Sequence, residues 1–127
     1  MAEFRFLSAE LAFAVHERQL AEHGGLAGIK DAGLLESAVS RPLNKHAYGE
    51  DDPFALAAAY AFGIARNHPF NDGNKRTAWV MARLFLRLNG ISIAFDKADA
   101  IGMVLALASG ELEESVVADW FRDRLAS

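Results

Sequence analysis

Between two apolar stretches of the chain lies a ten-residue polar run, His68-Pro-Phe-Asn-Asp-Gly-Asn-Lys-Arg-Thr77, which sets an imidazole, a carboxylate and two cations close together. Transfer of a phosphoryl or nucleotidyl group needs a base for the attacking hydroxyl, a metal ligand, and positive groups for the phosphates. The run holds each type. An imidazole titrates near neutrality, so His68 can accept the hydroxyl proton. Asp72 can hold Mg²⁺ through a carboxylate oxygen, with water and phosphate oxygens completing the octahedron. Backbone amides near Gly73 and Asn74, together with Lys75 and Arg76, can neutralise developing charge. Phe70 reads as an inward anchor that keeps the loop rigid.

The flanking residues say how such a loop is held. Pro69 disfavours a helical backbone at the residue before it, so the preceding helix should end at about Asn67, with His68 extended and pointing outward. Gly73 permits a positive φ or a close approach to a ligand. The next helix should start between Asp72 and Asn74, both good capping types. Lys75 and Arg76 then occupy its first turn, where the helix dipole makes each cation unfavourable by about 0.3–1 kcal/mol. A local rule broken twice in succession is expected at functional sites. A bound anion would resolve it, because helix N-termini present free N–H groups to phosphates. The plain alternative leaves both side chains in solvent.

The chain has 127 residues, about half of them apolar, and no cysteine. That length suits a single domain over residues 1–127 with a real core. The lack of cysteine fits a reducing compartment and excludes disulfide or thiolate-metal scaffolds. The first residues do not read as a signal peptide, and no apolar run reaches the 18 or so residues that span a bilayer. The expectation is a cytoplasmic protein without a membrane partner. A formal net charge of −4 argues against direct nucleic-acid binding, which relies on cationic surface.

Six helical segments and scraps of strand make the expected class all-α, a compact bundle. Phe4–Leu7 reads as a strand or an extended lead-in. Ser8 caps a first helix to about Glu22, with Leu7, Leu11, Ala14 and Val15 as its apolar stripe and His16 as a hydrogen-bonded helix histidine. His23 near its end has a structural reading, as a cation at a helix C-terminus. Asp31 caps a shorter second helix stopped by Pro42. Leu43 to Asp51 then reads as a polar loop containing His46 and Tyr48. Asp52-Pro53 starts a helix that is apolar nearly all round, and therefore central. The helix after the polar run ends at Asn89-Gly90. A short extended segment, Ile91–Phe95, precedes a helix capped by Asp96, carrying Ile101, Val104, Leu105 and Ala108, and ended by Gly110. A last helix from about Ser115 carries Val117, Trp120, Phe121 and Leu125 on one face.

The polar run resembles the signature loop of the Fic/Doc superfamily, H-x-F-x-D/N-G/A-N-K/G-R, with every defining position filled. Lys75 looks like the death-on-curing (Doc) branch, since AMP-transferring Fic proteins usually carry Gly there. Those proteins also carry a second arginine three residues after the first, where this chain has Trp79. His16, Gly24-Gly25, Gly28-Ile-Lys-Asp31 and Gly33-Leu-Leu-Glu-Ser-Ala38 look like the N-terminal pattern of bacterial members.

The resemblance implies a Fic/Doc bundle in which His68 is the catalytic base, Asp72 holds Mg²⁺, and Gly73, Asn74, Lys75 and Arg76 bind ATP phosphates. It implies a toxin that passes the γ-phosphate of ATP to a hydroxyl, expected to be a threonine of elongation factor Tu, and so stops translation. Lys75 in place of a small Gly would crowd the part of the pocket that otherwise takes the distal phosphates. In Fic proteins a segment before the central helix lines up the target peptide, which makes Leu43–Asp51 a candidate substrate edge. The inhibitory pattern S/T-x-x-x-E-G/N is absent from the chain, so restraint is expected from a cognate Phd-like antitoxin whose disordered tail folds into an apolar groove. Three rivals stand beside this reading: AMP transfer, a metal-dependent hydrolase, and a non-catalytic binding module. The hydrolase is disfavoured because Pro69 keeps His68 and Asp72 off a shared helical face.

Overall fold

The computed structural model describes residues 3–126. Within them six helices run in order: α1 Ala9–His23, α2 Ala32–Ala47, α3 Pro53–Asn67, α4 Asn74–Leu88, α5 Lys97–Ser109 and α6 Glu114–Arg122. The all-α expectation holds. Among the described residues, pairing between extended segments is confined to two isolated bridges, Ile29 with Phe70 and Ile93 with Leu125.

Most boundaries follow local chemistry. The side chains of Ser8, Asp31, Asp52 and Asp96 each accept from a backbone N–H in the first turn of the helix they precede. These bonds satisfy donors that a helix start otherwise leaves orphaned. Gly110 ends α5 in the left-handed region.

Helix α3 is the hub, packed against α2, α4, α5 and α6. Its residues from Leu56 to Ala61 are all essentially inaccessible, because alanines on every face let four neighbours approach closely. The Tyr60 hydroxyl in this core accepts from the N–H of Leu7 at 2.7 Å and donates to its carbonyl at 3.3 Å. That pair fixes the N-terminal lead-in, which forms no strand, across the bundle.

Three expectations need correcting. Pro42 does not stop the second helix; it lies inside α2 and is buried with Leu35, Ala38 and Val39. An interior proline costs about 3 kcal/mol, whereas burying Leu35, Val39 and the proline ring against α3 returns roughly 1.5–3 kcal/mol per large side chain. Packing therefore wins. Leu43–Ala47 is accordingly helical, and only Tyr48 to Asp51 forms a connection. That connection meets the N-terminal end of α3, whereas the polar run leaves its C-terminal end, about 20 Å away at 1.5 Å per residue. In α1 the inward face is Ala12 and His16, and Ala14 is exposed.

The last two helices also differ in detail from the periodic reading. Ala100, Met103, Val104 and Leu107 form the buried face of α5, leaving Ile101 and Leu105 about half exposed. A helix apolar on all sides offers no stripe from which to choose its inner face. Leu125 falls beyond α6 and is exposed.

Candidate active site

The polar run links α3 to α4, and its backbone is fastened from three directions. His68 is the αL cap of α3, with φ 50° and ψ 57°, and its N–H donates to the Ile64 carbonyl at 3.2 Å. It is not extended. Pro69 disfavours the right-handed helical region at this residue, while closing the last turn favours a left-handed one; αL meets both demands. His68 is the only non-glycine residue with positive φ among those described, and strain of this kind clusters at functional sites. Its side chain is half-buried.

The second fastening comes from the segment between α1 and α2. Lys30 and Asp31 donate to the Pro69 carbonyl at 2.8 and 3.1 Å, and Asn71 donates to the Gly28 carbonyl at 3.1 Å. The Asn71 amide adds a bond to the Ala27 carbonyl at 3.0 Å. Two loops distant in sequence are thus zipped together beside the site.

The third lies beneath. Phe70 is buried and stacks flat on His16, with ring centroids 3.8 Å apart and planes 5° apart. Asn74, also buried, exchanges two hydrogen bonds with the Phe70 backbone. Its side-chain amide is therefore committed to the loop, and a ligand would be met by its backbone N–H.

Helix α4 begins at Asn74 with Gly73 as its N-cap at φ 74°, a conformation suited to glycine, and no side chain caps it. Neither Asp72 nor Asn74 takes the capping role expected of them. The first intrahelical bond runs from Thr77 to the Gly73 carbonyl. The N–H groups of Asn74, Lys75 and Arg76 are thereby left without intrahelical acceptors. Lys75 and Arg76 are exposed and form no ion pair among the described residues. The cations expected in the first turn are there, unneutralised.

Asp72 is exposed at the same point. Its Oδ2 accepts from the Leu26 N–H at 3.2 Å and its Oδ1 from the Gly73 N–H at 2.8 Å. These donors, with the Arg76 cation adding to them, hold the carboxyl below the usual carboxylate range. Each oxygen keeps lone-pair capacity for a cation. Among the described residues no group of three or more acids and histidines converges on one point. A metal held here would therefore take most of its oxygens from substrate and water, the habit of Mg²⁺.

The site residues do not all face one cavity. Asp72 to Arg76 line a groove of about 540 Å³, with Trp79, Val80, Phe95, Ile101, Val104 and Leu105 as its apolar wall and Gln19, His23 and Lys97 on its rim. His68 is not among the groove's lining residues. His23, read from sequence as structural, stands on this rim. Tyr48 and Glu50 line a separate cavity of about 650 Å³ between α2 and α3, to which no residue from His68 to Thr77 contributes.

Two contributors escaped the sequence reading of the loop. His16 donates from Nε2 to the Asp72 carbonyl at 2.7 Å. Gly25, with φ 127°, comes so near Asp72 that a Cβ there would lie 2.9 Å from its Oδ2. The Gly24-Gly25 pair that closes α1 was the available signal.

The sequence pattern of the Fic/DOC family matches residues 6–86. The protein kinase Doc of Escherichia phage P1 is 40% identical over 119 residues, covering 93% of this chain and 94% of that protein. The toxin Doc of Mycolicibacterium smegmatis is 47% identical over 76 residues, 58% of each chain.

Proposed function

The chain belongs to the Fic/DOC family, and from that premise we propose that it is the toxin of a toxin–antitoxin pair, transferring the γ-phosphate of ATP to a hydroxyl of a target protein. One observation carries the reading. An ionised carboxylate, two unpaired cations and a row of free helix amides converge where α4 begins. That combination matches a nucleotide polyphosphate with its magnesium ion. The names of the two relatives, a protein kinase and a toxin, point the same way.

Mg²⁺-bound ATP would supply the electrophilic phosphorus, and Asp72 is the residue to hold the ion. The amides of Asn74, Lys75 and Arg76 and the two side-chain cations take up charge on the phosphate oxygens. His68, set by its αL backbone, removes the proton from the acceptor hydroxyl. The proposed acceptor is a threonine of elongation factor Tu, whose modification would halt translation in the cytoplasm. The outer edge of Leu26–Lys30, zipped to Pro69–Asp72 on its other side, has exposed Leu26 and Ile29 beside it. An extended acceptor segment laid there would pass close to His68.

The groove beside α4 supports a partner. Apolar residues line its wall, and Lys75, Arg76 and Lys97 stand around it. An amphipathic antitoxin helix with acidic residues suits this surface, and once seated it would cover Asp72 to Arg76.

The deciding experiment incubates purified protein with a bacterial lysate and ATP labelled at either the α or the γ phosphate. Label entering one protein from γ alone is expected. Label from α would replace this reading with AMP transfer, and no label from either would overturn the enzyme.

A further inference from the structure

His16 belongs to α1, far in sequence from the polar run, yet it contacts Phe70 and Asp72 of that run and lies beside Gly73. Its ring is fully buried and stacks on Phe70. Its Nε2 lies 2.7 Å from the Asp72 carbonyl oxygen. A Cβ built on Gly73 would stand 3.6 and 3.7 Å from its Cδ2 and Nε2. A carbonyl oxygen can only accept, so Nε2 carries the proton. Nδ1 is buried without a hydrogen-bond partner. No polar network on the far side of the ring explains why a histidine, rather than an apolar residue, is placed here.

We propose that His16 is a positioning residue that sets the orientation of the Asp72 carboxylate through the Asp72–Gly73 peptide. The peptide is planar and trans, so its C=O and N–H point in opposite directions. Drawing the carbonyl in toward α1 turns the Gly73 N–H outward, where it donates to Asp72 Oδ1 at 2.8 Å. The inward bond thereby selects the carboxylate's rotamer and aims its free lone pairs at the start of α4. The stack on Phe70 holds the imidazole in plane for that bond. The catalytic consequence rests on the phosphotransfer reading above; the geometry does not.

Two variants separate the donor from the ring. His16→Phe keeps the stack and removes the N–H, whereas His16→Gln keeps an N–H at similar reach and loses the stack. The readouts are the Gly73 amide resonance without nucleotide, Mg²⁺–ATP affinity by calorimetry, and the tautomer of the wild-type ring by long-range ¹H–¹⁵N correlation. The expected results are an Nε2–H tautomer, a displaced Gly73 resonance in His16→Phe with Mg²⁺–ATP affinity at least tenfold weaker, and substantial recovery of both in His16→Gln. A wild-type Gly73 resonance and affinity in His16→Phe would overturn the proposal, as would an Nδ1–H tautomer. Should His16→Phe not fold, the tautomer and His16→Gln still decide. Wild-type protein that binds Mg²⁺–ATP without transferring phosphate would refute the phosphotransfer reading and leave this test intact.

Discussion

Asn74 clasps Phe70 from both sides, its Oδ1 accepting from the Phe70 N–H and its Nδ2 donating to the Phe70 carbonyl, each at 3.0 Å. The first residue of α4 thus closes the loop that leads into it. Its side chain is committed to the frame, and the phosphate-binding role proposed for Asn74 falls to its backbone amide.

Replacing Asn74 with Ala strands two buried backbone groups, at about 1–3 kcal/mol each. The expected loss of stability is roughly 2–6 kcal/mol, measured by urea denaturation. Asn74→Asp should be nearly as damaging at neutral pH, because its second oxygen would face the Phe70 carbonyl. A loss below about 1 kcal/mol in Asn74→Ala would contradict the clasp.

His68 in the αL region gives the base assignment a sharper test than alanine alone. Left-handed backbone costs a non-glycine residue about 1–2 kcal/mol, offset in part by the extra freedom glycine brings to the unfolded chain. His68→Gly should therefore match or exceed wild-type stability by up to about 1 kcal/mol while losing target modification. Modification at the wild-type rate would remove His68 from the base role.

Caps and periodicity made most of the helix boundaries legible, since Ser8, Asp31, Asp52-Pro53 and Asp96 act within one turn of themselves. The polar run stood out for a similar reason: its break with helix-dipole preference is local. What stayed hidden depends on distant contacts. Nothing near Pro42 announces that α3 will bury it, and nothing near Ile101 says which side of α5 faces a groove. The pairing of Gly28 and Lys30 with Pro69 and Asn71 joins the loop before α2 to the loop after α3, with only scattered glycines as its trace. The αL state of His68 arises from two local rules acting on one residue, of which proline's was the one applied.

Tyr60 predicts a specific alkaline weakness. Burial pushes its phenol up to about 12, against about 10 in an unfolded chain. The folded pKa is the raised one, so its contribution is complete below pH 10 and fades as pH climbs toward 12. The full loss is about 2–3 kcal/mol. Denaturation at pH 9 and pH 11.5 should show that decline in wild type. Tyr60→Phe should start lower, having stranded the Leu7 N–H, and lack this part of the pH dependence. The only other tyrosine, Tyr48, is 93% exposed, and Tyr48→Phe serves as the control. Parallel curves for wild type and Tyr60→Phe would refute the account.

Gly25 and Gly24 together isolate the positioning of Asp72. Both have positive φ, 127° and 76°, so an alanine at either is strained. A Cβ on Gly24 would meet nothing within 4 Å, whereas one on Gly25 would press on Asp72 Oδ2 and on Leu20. The carboxylate is the softer neighbour and should yield, losing the Leu26 N–H that does most to keep it ionised. Its depressed pKa contributes stability that is present above the unfolded value and fades as pH falls; in Gly25→Ala that acid-side dependence should shrink. Calorimetry should find Mg²⁺-dependent ATP binding at least tenfold weaker in Gly25→Ala and close to wild type in Gly24→Ala, with both variants destabilised by about 1–2 kcal/mol. Equal weakening in the two would assign the effect to loop strain, and the carboxylate's placement by Gly25 would have to be given up.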